Sequence, residues 1–122
     1  MAAAALTLML VPQFALAQAP MRFEHLSVEH GLSQNAAQVI LQDSEGYLWI
    51  GTENGLNRYD GIEFRHYVSD RTDRRALTND YISGLSEDSA GNLWVATDGG
   101  GLARWDRATD SFETYTHDPN NP

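Results

Sequence analysis

The chain has 122 residues, 17 acidic and 8 basic, a formal net charge of −9 and no cysteine. Such a balance argues against nucleic acid or an anionic membrane as partner, since both require a basic patch. The absence of cysteine excludes disulfides, thiolate metal sites and cysteine nucleophiles, and the length holds one modest domain at most.

The first 19 residues, MAAAALTLMLVPQFALAQA, carry no charged side chain. The apolar run from Ala2 to Val11 falls short of the roughly 20 residues that cross a bilayer. Pro12 breaks it, and small residues spaced A-x-A follow, the layout of a secretory signal peptide. Cleavage is expected after Ala17, leaving Gln18 as the new N-terminus, although no Lys or Arg precedes the apolar run. A buried N-terminal helix is the alternative. Export to the periplasm is the expectation, and it suits a chain without cysteine.

From Ala37 onward the chain reads as short strands separated by turn chemistry. AQVILQ (Ala37 to Gln42) stops at DSEG, a turn that begins with Asp and ends with Gly. YLWIGT (Tyr47 to Thr52) is aromatic and β-branched, as strands are. It breaks at Asn54-Gly55, a pair suited to the positive φ of a tight hairpin. LNRY (Leu56 to Tyr59), the turn Asp60-Gly61 and EFRHY (Glu63 to Tyr67) follow. ISGLS, NLWVAT, LARW and SFETY then repeat the series between Ile82 and Tyr115. Beyond the leader no segment has a persuasive 3.6-residue apolar period, so the mature chain is expected to be all-β.

The two series are copies. Leu32, Ser33, Asp43, Gly46, Leu48, Trp49 and Thr52 recur 45 residues later as Leu77, Thr78, Asp88, Gly91, Leu93, Trp94 and Thr97. One extra glycine in TDGGG moves the offset to 46, matching Leu56, Arg58, Tyr59 and Asp60 to Leu102, Arg104, Trp105 and Asp106. Two further inserted residues bring Phe64 and Tyr67 onto Phe112 and Tyr115 at an offset of 48. A partial third copy precedes them: Phe23 and Leu26 stand ahead of GLSQN as Phe64 and Tyr67 stand ahead of ALTND.

A four-stranded antiparallel unit of about 45 residues has the length and strand count of a β-propeller blade. Such a blade is apolar on both faces and cannot bury them alone. Trp49 and Trp94 are expected to be mostly buried, each in the second strand of its unit and packed between blades. The fold expected is two four-stranded antiparallel blades plus an N-terminal partial strand, Arg22 to Leu26, in an incomplete ring. The chain divides accordingly into a signal peptide (1–17), an N-terminal segment (18–36), a first blade (37–67), a linker (68–81), a second blade (82–115) and a linker toward a next blade (116–122). Propellers close with about four to eight blades. Two blades share one interface and leave apolar faces and strand edges uncovered, so residues 18–122 alone are expected to be marginal or aggregating.

The pattern D-x-x-G-x-L-W-[IV]-[GA]-T, then G-L-x-R-[YW]-D, then F-x-x-Y resembles the two-component regulator propeller repeat. MRFEHLSVEHGLSQN resembles the lead-in to a first blade, and HDPNNP the linker before another. The resemblance covers about Phe23 to Pro122. A WD repeat lacks the G-x-L-W strand, and a sialidase-type Asp box separates Asp from Gly by one residue where DSEG and DSAG have two. The resemblance implies an N-terminal fragment of the periplasmic sensor region of a hybrid histidine kinase or a diguanylate cyclase receptor. Further blades, and membrane attachment through downstream segments, are implied with it. A carbohydrate or another small periplasmic ligand is the implied partner, and the module is implied to be non-catalytic by itself. A fragment of an exported propeller enzyme acting on polysaccharide, or an inactive orphan fragment, are the alternatives.

No cofactor is implied. His25, His30, His66 and His117 lack metal-ligand spacing. Asp43 and Asp88 read as side-chain caps on their turns rather than paired carboxylates for acid–base work. Arg58 and Arg104 lie mid-strand and read as members of inter-strand ion pairs rather than grips for an acidic ligand. TDGGG could cradle an anion with backbone amides, but no helix follows it and Asp98 would repel the anion, so a hairpin loop is expected. In propellers the linkers into first strands and the loops between second and third strands share one rim. Here these are GLSQN, ALTND, TENG and TDGGG, which makes Asn35, Glu53, Asn54, Asp80 and Asp98 the ligand-binding candidates.

Overall fold

The computed structural model describes residues 19–121, so the expected signal peptide lies outside the described residues. Eight strands form two antiparallel sheets, each ordered as its strands follow in sequence. The first sheet comprises β1 (Val39–Gln42), β2 (Leu48–Thr52), β3 (Gly55–Tyr59) and β4 (Phe64–Tyr67). The second comprises β5 (Ile82–Glu87), β6 (Leu93–Thr97), β7 (Gly101–Asp106) and β8 (Ser111–Tyr115). These are the two expected blades of an all-β chain. A 3-10 turn at Val28–His30 precedes them.

The repeated Asp explains why the motif begins where it does. Asp43 Oδ1 accepts from the backbone N–H groups of Glu45 and Tyr47, both at 3.0 Å, closing the turn into β2. Its Oδ2 accepts from the Trp49 indole N–H at 2.8 Å. Asp88 repeats this with the N–H groups of Ala90 (3.0 Å) and Asn92 (2.8 Å) and the Trp94 indole (2.9 Å). One carboxylate thus caps a turn and fixes the indole six residues on, satisfying a donor that burial would otherwise leave unpaired. Hydrogen bonding to Trp94 first, then to Asn92, holds the Asp88 carboxyl down to about 2.

Register decides which side chains meet. In the first sheet Trp49 pairs with Arg58 and Leu56 with Tyr67, so these four share one face. That face packs against the second sheet. Trp49 is fully buried, with its rings 4.8 Å from Trp105 edge-on and 5.8 Å from Tyr67. Tyr67 meets Phe112 edge-on at 5.4 Å. Ile82, Leu93, Val95 and Ala103 complete this core, together with Leu77 from the linker. Gly51 is the point of closest approach: a Cβ there would lie 2.5 Å from Ile82 Cγ2.

The opposite face of the first sheet carries Ile50 and Asn57, paired in register. The N-terminal segment covers it. Leu32 is buried there, and Asn57 accepts from the Ser33 N–H at 3.0 Å and donates to Ser33 Oγ at 2.8 Å. Leu32 thus plays for the first sheet the part that Leu77, its repeat counterpart, plays for the second.

Two expectations are adjusted. Arg22 to Leu26 lies outside both sheets, as expected, but forms no strand, and Phe23 is 89% exposed. A strand needs a partner edge, and this segment pairs with no strand of either sheet among the described residues. Trp94 lies in the second strand of its unit and is mostly buried, as expected, but it is not packed between blades, since no described residue covers its face as the second sheet covers Trp49.

Candidate functional site

The linkers and hairpin loops do meet. Ser33 Oγ and Thr52 Oγ1 share a hydrogen bond at 2.8 Å, and the Glu53 N–H donates to Gln34 Oε1 at 3.2 Å. These contacts seat GLSQN on TENG. ALTND bridges both blades: the Gly55 N–H donates to the Asp80 carbonyl at 2.8 Å, while Thr78 Oγ1 donates to the Gly100 carbonyl at 2.5 Å. Gly55, with φ of 114°, provides the left-handed hairpin position at Asn54-Gly55.

A cleft of about 570 Å³ opens beside this junction. Glu53, Asp70, Arg71, Asp73, Arg74 and Asp80 bring charge to its lining, which Tyr81 also joins. The Ser69 N–H donates to Asp80 Oδ1 at 2.6 Å, which holds this carboxylate in place. The Thr72 hydroxyl and then its N–H, both donating to Asp70, keep that carboxyl below its ordinary value. In the wall, Thr114 Oγ1 is buried without a hydrogen-bond partner.

Of the five candidates, Glu53 and Asp80 line this cleft and the other three do not. Asn35 accepts the Val28 N–H at 3.0 Å and serves the 3-10 turn. Asn54 is exposed, and its carbonyl meets His66 Nε2 at 2.8 Å. Asp98 is exposed, and its N–H donates to the Tyr81 carbonyl at 3.0 Å. Asp70, Arg71, Asp73 and Arg74 belong to the linker rather than to either copy, so repetition does not single them out. The charged run SDRTDRR was the available signal.

A second polar cluster joins the blades. Asp110 accepts from the Tyr67 hydroxyl at 2.7 Å and the Trp105 indole at 2.9 Å, and pairs with Arg65 at 2.6 Å and Arg58 at 3.7 Å. Burial acts to raise the Asp110 carboxyl, but the Tyr67 and Trp105 hydrogen bonds and the two guanidiniums outweigh it and lower it. Burial first, then the bond to Asp110, pushes the Tyr67 phenol up. Arg58 also lies over the rings of Tyr47 and Trp105, at 4.9 and 5.2 Å. Its partner therefore belongs to the other blade rather than to a neighbouring strand. Arg104 does form the expected inter-strand pair, with Glu113 at 2.7 Å. Asp43 and Asp88 are turn caps, and TDGGG is a hairpin loop between β6 and β7.

With this geometry in place, likeness to known proteins takes on meaning. The profile of the two-component regulator propeller matches residues 31–54 and 76–99, in each case the linker and first two strands of a blade. Histidine kinase P4 of Formosa agariphila is 38% identical over 56 residues, 46% of this chain and 4% of the kinase. The solved extracellular domain of BT3049 from B. thetaiotaomicron, assigned to the hybrid two-component systems, is 33% identical with a TM-score of 0.73. That match covers 81% of this chain and 14% of the solved one. The extracellular domain of BT4673 from the same organism is 31% identical, with a TM-score of 0.57 over 70% of this chain and 13% of the other. The chain spans a small part of each relative. Its two sheets are blades of the two-component regulator propeller family.

Proposed function

We propose that the chain is part of an extracytoplasmic ligand-sensing propeller in a signal-transduction receptor and is non-catalytic by itself. The observation that carries this reading is the match of both blades, over 81% of the chain, to an extracellular domain assigned to a hybrid two-component system. The leader-like residues 1–17 supply the route to the periplasm. Further blades of the same receptor are its structural partners, and a carbohydrate or other small periplasmic solute is its ligand. The cleft beside the linker suits a hydroxyl-rich molecule: carboxylates accept, guanidiniums donate, and Tyr81 offers an aromatic face. It requires no cofactor.

Thermal-shift screening of the exported chain against a panel of oligosaccharides and small polar solutes tests the reading. At least one should raise the melting temperature, and Glu53→Gln should weaken its binding about tenfold, as loss of one charge-assisted hydrogen bond does. A panel without any shift counts against ligand sensing. Turnover of a bound saccharide would overturn the non-catalytic assignment.

A further inference from the structure

The linker that walls the cleft carries a short repeat of its own. Residues 70–75 read DRT and then DRR. Each triplet opens a turn: the Asp73 N–H donates to the Asp70 carbonyl at 3.3 Å, and the Ala76 N–H to the Asp73 carbonyl at 3.1 Å. In each, the leading Asp side chain accepts from the N–H two residues on, Thr72 at 2.8 Å and Arg75 at 2.9 Å. Arg75 anchors these turns to the second blade. Its carbonyl accepts the Phe112 N–H at 2.8 Å, and its guanidinium donates to Ser111 Oγ at 3.1 Å. The arginine directly after each Asp, Arg71 or Arg74, lines the cleft instead.

The charges of the lining differ in what they already hold. Asp70, Asp73 and Asp80 each accept a backbone N–H, and Glu53 accepts from the Gln38 amide at 3.4 Å. Among the described residues Arg71 and Arg74 form no ion pair, whereas Arg58, Arg65, Arg104 and Arg107 all do. A guanidinium in a concave site matches a carboxylate, which accepts two parallel N–H groups. The lining acids narrow the choice further. A densely charged anion would meet like charge there, while hydroxyl groups would find acceptors. A single carboxylate on a polyhydroxylated body satisfies both demands.

We propose that the cleft selects sugar acids, Arg71 and Arg74 gripping the carboxylate and Glu53 accepting from the hydroxyls. This inference rests on the sensing reading and names the chemical class of its ligand.

Isothermal titration of the exported chain with a set of uronic-acid disaccharides, their neutral counterparts and sodium sulfate tests it. At least one uronate should bind, about tenfold or more tighter than its neutral counterpart, and added salt should weaken that binding. Arg71→Gln and Arg74→Gln should each cost about tenfold, as loss of a charge-assisted hydrogen bond does. Both side chains are exposed, so unchanged β-sheet circular dichroism is expected of each variant. Arg74→Lys, which keeps the charge but loses the planar fork, provides a second variant and should recover only part of the affinity. Binding of neutral sugars alone would overturn selectivity for acids and leave ligand sensing standing. Uronate binding indifferent to both glutamine substitutions, or sulfate bound as tightly, would also overturn it. A chain that binds neither class of sugar would overturn this inference and count against the sensing reading as well.

Discussion

Trp49 and Trp94 occupy one position in two copies of one repeat, held by the same Asp–indole bond, yet one is sealed and the other is not. The motif itself therefore builds a blade edge and orients an indole, but burial comes from the neighbouring blade. In a repeat architecture much of the energy belongs to interfaces rather than units. The largest test of this difference is truncation of each indole. Trp49→Ala should lower unfolding free energy by about 3 to 5 kcal/mol, most of the margin of a small domain. Trp94→Ala should cost about 1 to 2 kcal/mol, in keeping with its smaller buried area. Urea unfolding followed by far-UV circular dichroism measures both.

Gly51 and Ala96 sharpen the same comparison, being counterparts at an offset of 45. A methyl group is present at position 96, on the second blade's uncovered side. At position 51 it would strike Ile82 and Val39, the latter at 2.7 Å. Gly51→Ala should destabilise by about 1 to 3 kcal/mol through overpacking, while Ala96→Gly should change stability by about 1 kcal/mol or less. Equal effects would mean that the two faces do not differ in cover.

The ion pairs give a smaller contrast. Asp110→Asn weakens a half-buried cluster spanning both blades and should cost about 1 to 2 kcal/mol. Glu113→Gln breaks an exposed pair within one blade and should cost under about 0.5 kcal/mol. Acid titration distinguishes the carboxylates further. Asp88 has its folded value depressed to about 2, from 3.8. Its contribution is thus complete above the unfolded value and is lost as pH falls from about 4 through 2. Asp88→Asn should flatten that part of the stability–pH curve, whereas an unchanged slope would remove Asp88 from the turn's support.

Much of the fold was legible because its signals are local. Asp43 and Asp88 announce turns, Asn54-Gly55 a hairpin, and the spacing of Trp49 from Asp43 repeats in Trp94 and Asp88. The observed strands lie within two residues of those read from the sequence. Less of the site was legible. Asp110 falls beside the two-residue insertion, where the repeat offers no counterpart carboxylate, so its grip on Tyr67, Arg58 and Arg65 follows only from blade packing. The cleft is built by a linker folding back through the parallel bridge between Ser69 and Leu77. Repetition carries no information about such a segment. Asn35 and Asn54 reached the candidate set through loop position alone, and their carbonyl groups serve local hydrogen bonds.

The central claim is that the two repeats form one structure through the face carrying Trp49 and Tyr67. A double-mutant cycle across the Tyr67 hydroxyl and Asp110, residues 43 apart in sequence and 2.7 Å apart in space, tests it most directly. Urea unfolding of Tyr67→Phe, Asp110→Asn and the double variant, at a dilution where self-association is absent, should reveal a coupling of about 1 to 2 kcal/mol. Effects that add to within about 0.3 kcal/mol would show that the two blades do not meet as described.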